Sequence, residues 1–383
     1  MGYTVDDLQE PPGGAPRRAW VEVETAAIVH NARVLADLAR PAMLMAVVKA
    51  DGYGHGAAAV ARAALAGGAA YLGVATAEEA VALRRAGIRA PILVFGVGGA
   101  AEPLERFVYE DLTATITTLQ AARRLSEAAR AAGRVVRVHV KVDTGMGRLG
   151  VLPQQAAALV REMCALPGLH LEGLYTHLAT ADEPDGSYMM RQADTFRQVW
   201  EELKAGGISV PLRHMLNTAG LLARPELRLE MVRTGIGLYG YYPAPHLRSR
   251  ADLRPALRLW ARVAEARRLP AGSSISYGRT YTTSRPATVV TLPVGYADGF
   301  SRLLSGRARA VIRGRAYPVV GRICMDQCMA EVGDDPVAVG EPALLLGPGA
   351  EGEMTVDEAA ALMGTISYEV LTRLGPRLPR VYL

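Results

Sequence analysis

At 383 residues the chain exceeds the roughly 250–300 residues at which a single core stops growing, and its 50% hydrophobic and 21% charged content is that of an ordinary soluble globular protein, so two domains are expected. No window nears the ~20 consecutive apolar residues of a membrane span, and the net charge of +5 comes from scattered arginines with 6% aromatic content, which suits small anionic ligands rather than nucleic acid or membrane. Cys164, Cys324 and Cys328 cannot all pair, and Cys324 and Cys328 have no partner ligands nearby in the sequence, so a reducing cytoplasmic setting without a metal site is expected.

Residues 1–18 mix acids with Pro and Gly where a signal peptide would carry a positive end and an apolar run, and are expected to form a loose tail. WVEVE (20–24) follows, then a helix opened by Thr25. Eight β-rich runs come next: MLMAVVKA (43–50), YLGVAT (71–76), PILVFG (91–96), TATIT (113–117), VVRVHVKVD (135–143), LHLEGLYTH (169–177), LRHMLNT (212–218) and MVRTGIGLYG (231–240). Alanine-rich amphipathic stretches such as AEEAVALRRAG (77–87) and QAARRLSEAARAAG (120–133) separate them and end at glycine stop signals. Eight strands alternating with helices predict a parallel (β/α)8, TIM-like barrel over 19–250. Beyond it, runs such as ATVVTLPVGY and ARAVIRGRAYPVVGRICMD lack helical spacing, so residues 251–383 are expected to be mostly β.

Barrel enzymes carry their reactive side chains where strands end at the carboxyl face. Lys49 closes the first predicted barrel strand, and it is one of only three lysines, with Lys141 and Lys204, among 43 Lys+Arg. Arginine would serve if charge were all that was needed; an ε-amine can also lose a proton and act as a nucleophile, so Lys49 is a candidate for amine chemistry, against a helix-capping or surface role. Arg148, His177, Asn217, Thr218, Arg233 and Gly235 fall at the same predicted rim. NTAG (217–220) and RTGIG (233–237) offer small residues and backbone amides for a phosphate after the last two barrel strands. A strand-end lysine facing such a cradle suits pyridoxal 5'-phosphate. Lys204, at a helix end, fits a favourable charge at a helix C-terminus.

VVKADGYGHG (47–56), KVDTGMGRLG (141–150), THLATAD (176–182), MLNTAG (215–220), VRTGIGLYG (232–240), SYGRTYT (276–282), GYADGF (295–300), GRICMDQ (321–327) and TISYEV (365–370) together resemble, in order, the motifs of the alanine racemase family, from Arg18 to Tyr382. The resemblance implies a pyridoxal-phosphate enzyme that interconverts L- and D-alanine with two bases, supplying D-alanine for peptidoglycan. Lys49 would be the lysine joined to the cofactor and one base, and Tyr277 the other, reaching the site of a second subunit in a homodimer. His177 would support Tyr277 and lean on Arg233, which would face the pyridine nitrogen. The implied cofactor set is Lys49, Tyr53, Arg148, His177, Asn217, Thr218, Arg233, Gly235, Ile236 and Tyr368, with Tyr53, Thr218 and Tyr368 at the phosphate. Arg148 and the Met325 backbone would meet the substrate carboxylate, with Tyr296 near the entrance.

For Lys141 two readings stand: the carbamylated form known in some family members, or an ordinary buried lysine paired with Asp143 or another acid. Two departures are visible. Gly52 stands where alanine is common, which is expected to loosen the turn, and Thr218 stands for serine. Rival readings are a racemase of serine or of broader range, a decarboxylase, and a non-catalytic pyridoxal-phosphate-binding protein. Arg233 argues against the decarboxylase, whose kind places an acid at the pyridine nitrogen. Residues 256–383 argue against the binding protein, whose kind lacks the β domain.

Overall fold

The structure, a computed structural model, describes residues 17–96, 104–348 and 352–383. Strand β1 (Ala19–Val23) and a helix over Thr25–Ala39 precede eight short strands: β2 (Met43–Val47), β3 (Tyr71–Val74), β4 (Ile92–Val94), β5 (Thr113–Ile116), β6 (Val136–Lys141), β7 (Leu169–Tyr175), β8 (Leu212–His214) and β9 (Met231–Thr234). Each falls within one of the eight β-rich runs. They form one parallel sheet in the order β8-β7-β6-β5-β4-β3-β2-β9. The Arg233 N–H donates to the Leu216 carbonyl at 3.0 Å between the chain segments at the sheet's two ends, so the barrel is nearly closed. Helices lie between the strands; the one over Ala77–Arg85 starts on a capping box of Thr76 and Glu79.

Side chains alternate in and out along each strand. The inward set includes Met45, Tyr71, Leu93, Tyr175 and Met231, which pack as one buried cluster. Polar groups share this interior: Thr113, Thr115, His139, His214 and Arg233 are all buried. The β6–β7 register slips by one residue, Val138 facing Leu171 and His139 facing Gly173, which leaves Glu172 as a bulge. Gly173 is required beside it, because a Cβ there would lie 2.5 Å from His139 Nδ1.

Two compact units are distinguished: Ala26–Gly52 with Ala57–Arg254, and the chain up to Thr25 with Tyr53–Gly56 and Pro255–Leu383. The expected barrel span of 19–250 is therefore corrected at its start. Strand β1 pairs antiparallel with β10 (Leu257–Arg262) and belongs to the second unit. A period-2 pattern identifies a strand without naming its sheet, which is why WVEVE could not be assigned by sequence. Nor is the end of the expected tail loose: Arg18 Nη2 donates to the buried Asp298 carboxylate at 2.7 Å, while residues 1–16 lie outside the described residues.

The second unit adds β11 (Glu265–Leu269), β12 (Ser274–Ile275), β13 (Tyr281–Thr282), β14 (Ala287–Leu292), β15 (Arg309–Ile312), β16 (Arg315–Val320), β17 (Cys328–Gly333), β18 (Pro342–Leu346) and β19 (Arg380–Tyr382). Nine strands join in the order β11-β14-β17-β16-β15-β18-β10-β1-β19, with β12 and β13 as a separate hairpin. Among the described residues no helix is long and apolar enough to cross a membrane.

Candidate active site

Strand β2 runs through Val48 into Lys49, and the chain then turns the wrong way. Ala50, Asp51 and Gly52 have φ of 52°, 50° and 61° with ψ of 52°, 48° and 44°, one turn of left-handed helix. For a residue with a Cβ this costs about 1–2 kcal/mol. Three hydrogen bonds hold it: Gly52 N–H to Val48 O at 2.9 Å, Ala50 N–H to Glu79 Oε1 at 2.6 Å, and Ala57 N–H to Asp51 Oδ1 at 2.8 Å. The expectation for Gly52 is reversed. Glycine adopts this φ without strain, whereas an added Cβ would sit 3.1 Å from Val60 Cγ2, so Gly52 steadies the turn. The half-buried Lys49 amine has its pKa lowered by burial and by Arg148, against Glu79. Both lowering causes favour the neutral amine that nucleophilic or base chemistry requires.

Arg148 is presented by a loop built on one carboxylate. Asp143 Oδ1 accepts from the amides of Gly145, Met146 and Gly147 at 3.0, 2.8 and 3.1 Å, and Oδ2 from Arg148 N–H at 3.2 Å. Lys141 does not ion-pair with this acid, whose oxygens are engaged by the loop amides; its Nζ donates instead to the Leu149 carbonyl at 2.6 Å. Burial, then Arg233 and Arg148, pull the Lys141 pKa down to about 8, against Asp143.

Arg233 is 3% exposed on β9 and touches no carboxylate among the described residues. Its Nη1 donates to His214 Nδ1 at 2.8 Å; Nη2 donates to the carbonyls of Thr176 and Met215 at 2.8 and 3.1 Å and to His177 Nδ1 at 3.2 Å. A guanidinium offers only donors, so both imidazoles must accept at Nδ1 and, being neutral, carry their proton on Nε2. Burial first, and then Arg233, Arg148 and the two lysines, push His177 down to about 3, which keeps it neutral. Burial lowers Arg233 itself to about 10, leaving it a cation at neutral pH. No described residue accepts from its Nε, and Nη1 has one acceptor for its two N–H, so donors are left over that suit a lone pair on a ligand. On the loop after β8, Thr218 Oγ1 accepts from Gly235 and Gly237 N–H at 3.1 and 3.4 Å, which leaves its own proton to donate. Ile236 follows in a buried 3-10 turn. Asn217 Oδ1 is engaged in capping, accepting from Gly220 N–H at 2.9 Å. Lys49, Lys141, Arg148, His177, Asn217, Thr218, Arg233, Gly235 and Ile236 thus all belong to the barrel unit, at or just past the carboxyl ends of its strands.

Tyr53, Tyr277, Tyr296, Met325 and Tyr368 belong to the second unit. Tyr277 is 72% exposed and stands in a strained turn: Ser276 has φ 64° and ψ −176°, and Gly278 has φ 72°. A non-glycine residue in that region costs about 1–3 kcal/mol; here the Ser276 hydroxyl donates to the Arg322 carbonyl at 2.6 Å. Tyr296 N–H donates to Cys324 O and Ala297 N–H to Met325 O, both at 3.0 Å, tying the loops that bear Tyr296 and Met325. The rings of Tyr53 and Tyr368 lie 6.1 Å apart, and burial raises the Tyr53 pKa, so its hydroxyl stays a donor.

Residues 23–243 match the alanine racemase N-terminal domain and residues 256–382 its C-terminal domain. The chain belongs to the alanine racemase family. Alanine racemase from Desulfovibrio desulfuricans is 45% identical over 96% of this chain and 98% of its own, and that from Symbiobacterium thermophilum 47% identical over 96% and 97%. Among solved structures, alanine racemase from Clostridium difficile 630 superposes with a TM-score of 0.92 at 36% identity, covering 97% of each chain. The alanine racemase family consists of pyridoxal-phosphate-dependent isomerases, and the match to its C-terminal domain sets aside the barrel-only binding protein.

Reading the sequence missed Asp143, Glu79 and His214 as supports. The first two act through backbone amides and leave no spacing signal; His214 could have been found by strand parity, since it and Arg233 both point inward. Replacing Asp143 with Ala is expected to speed hydrogen exchange of the Gly145–Arg148 amides by about tenfold or more, as their shared acceptor is lost, with β6 amides unchanged. Unchanged exchange at 145–148 would show that the loop holds itself.

Proposed function

We propose that this alanine racemase family member interconverts L- and D-alanine in the cytoplasm as a homodimer, with pyridoxal phosphate joined to Lys49, supplying D-alanine for peptidoglycan. The observation that carries the reading is Arg233: a buried cation with no acid among the described residues beside it and donors to spare, in the same barrel unit as a half-buried strand-end lysine whose pKa is lowered.

When bound, the cofactor supplies an electron sink that acidifies the substrate Cα–H. Arg233 donates to the ring nitrogen without surrendering a proton, which keeps the sink weaker than a carboxylate partner would and limits side reactions such as transamination. Thr218, Tyr53 and Tyr368 donate hydroxyls to the phosphate beside Gly235, Ile236 and Asn217. Arg148 and the Met325 backbone hold the substrate carboxylate, and Tyr296 lines the entrance. Lys49 moves a proton on one face of Cα and Tyr277 of the partner subunit on the other. An ordinary tyrosine, with a pKa of about 10, is a poor base at neutral pH. His177 supplies the help: pinned by Arg233 at Nδ1, it presents Nε2–H as a donor that stabilises a phenolate. The dimer is supported by exposed apolar residues on the second unit, Tyr277, Tyr296, Leu303, Met325 and Ile366.

Lys141 is proposed to be carbamylated. A lysine beside two arginines, with its pKa near 8 and no paired acid, gains by becoming an anion; the neutral amine adds to carbon dioxide and releases one proton. Protein equilibrated with 13C-bicarbonate should give a carbamate carbon signal that Lys141→Arg lacks; no signal in the unsubstituted protein would leave an ordinary buried lysine.

The function is tested by incubating the protein, loaded with pyridoxal phosphate, with L-alanine in deuterium oxide. Loss of chirality together with α-deuterium is expected. Tyr277→Phe should slow L-to-D conversion by about 100-fold or more while pyridoxal phosphate binding is kept. Racemisation at an unchanged rate would remove Tyr277 from the chemistry, and no exchange in the unsubstituted protein would reject the function.

A further inference from the structure

The hydrogen bonds of Arg233 do not end at His214. His214 Nε2 lies 2.9 Å from His139 Nδ1, and His139 Nε2 lies 3.0 Å from Glu172 Oε2. Both imidazoles are 0% exposed, on β8 and β6, and Glu172 is the bulged residue of β7, its side chain 18% exposed. The chain therefore crosses the barrel interior from a partly accessible carboxylate to the buried guanidinium.

Its two ends, a donor-only guanidinium and an acceptor-only carboxylate, together set its proton order. Arg233 can only donate, so His214 accepts at Nδ1 and carries its proton on Nε2. That proton faces His139 Nδ1, which must accept, so His139 carries its own proton on Nε2 and gives it to Glu172. A carboxylate is the one partner here that only accepts, and it closes the chain at the far end. Every bond points away from Arg233. The environment agrees with neutral imidazoles: burial lowers the pKa of both histidines. Glu172 stays ionised although burial works against it, because His139 and Tyr71 hydrogen-bond to it and Arg137 lies nearby. Tyr71 donates to the same Oε2 at 2.8 Å and also meets Thr113 at 2.6 Å, so it steadies Glu172 without being a link in the chain.

We infer that Glu172 and His139 are positioning residues for Arg233: the acceptor at Glu172 sets the tautomer of both histidines, and His214 can then present a lone pair to the guanidinium. Without that acceptor, His139 is free to carry its proton on Nδ1. His214 then turns Nδ1–H toward Arg233, two donors face each other, and the arginine loses its Nη1 anchor. The bulge and Gly173 are the local devices that let β7 deliver the carboxylate and leave room for the imidazole.

Only the kinetic arm of the test rests on the proposed place of Arg233 beside the cofactor. Solid-state 15N spectra of protein labelled at its seven histidines report tautomers directly. In the unsubstituted protein near neutral pH, His139 and His214, assigned by their single substitutions, should both be neutral and protonated at Nε2. Either one found protonated at Nδ1 overturns the inference, whatever the enzyme does and whether or not any variant folds. Glu172→Ala should mix the tautomers of both and lower the kcat for alanine by about 10- to 100-fold, the worth of a hydrogen bond to a charged group, with little change in KM. Glu172→Gln keeps an oxygen for His139 and should recover most of that loss. Tyr71→Phe removes the other bond to the same oxygen and should leave tautomers and kcat near those of the unsubstituted protein. If Tyr71→Phe is as damaging as Glu172→Ala, or if kcat survives Glu172→Ala, the chain is structural support only and the inference fails, while racemisation by the unsubstituted protein would still uphold the proposed function.

Discussion

A guanidinium buried inside a barrel, with no carboxylate among the described residues in contact, is the constraint around which the rest is arranged. Taking such a cation out of water costs several kcal/mol, and the usual remedy is a paired acid. Here two carbonyls and two imidazole lone pairs do that work instead. The consequences spread from Arg233 outward. Burial first and Arg233 second keep His177 and His214 neutral and disfavour Lys141 as a cation, and a ligand that can offer a lone pair, but no acid, suits the donors left over. An aspartate in contact with Arg233 would satisfy the charge and also remove the reason for each of these features.

Backbone strain sits beside the two residues proposed to move protons. Lys49 opens a left-handed turn whose Ala50 and Asp51 adopt φ near 50°, and Ser276 before Tyr277 is in a region natural only to glycine. Neither turn survives on local preference. The first is tied to Glu79, in the first turn of the helix over Ala77–Arg85, and to the amide of Ala57; the second to the carbonyl of Arg322. Each tie comes from an element of regular structure or a loop adjoining it, so the reactive side chain takes the stiffness of the framework. This is how a fold holds a reactive group to one geometry when a relaxed turn would let it wander.

Much of the architecture could be read from residues alone, because a short β-rich run between helical stretches is a local signal and eight of them in alternation with helices admit few topologies. The rule that barrels place chemistry at the carboxyl ends then located Lys49, His177 and Arg233 without coordinates. What was hidden depends on distance in space. WVEVE announced a strand and gave no sign of its sheet. Asp143 acts on backbone amides, which any residue possesses. His139, His214 and Glu172 read singly as polar residues in strands; their relation follows from a one-residue register slip between β6 and β7 that no period-2 pattern records. The left-handed turn after Lys49 is hidden for the opposite reason, since alanine and aspartate at positions 50 and 51 argue against it.

The central claim, that the depressed amine at the end of β2 is the one that carries the cofactor, meets its most direct test in a chain with only three lysines. The protein is loaded with pyridoxal phosphate, reduced with borohydride, digested and mapped for the phosphopyridoxyl group by mass spectrometry. The label is predicted on the peptide containing Lys49, and a label confined to Lys141 or Lys204 would contradict the claim.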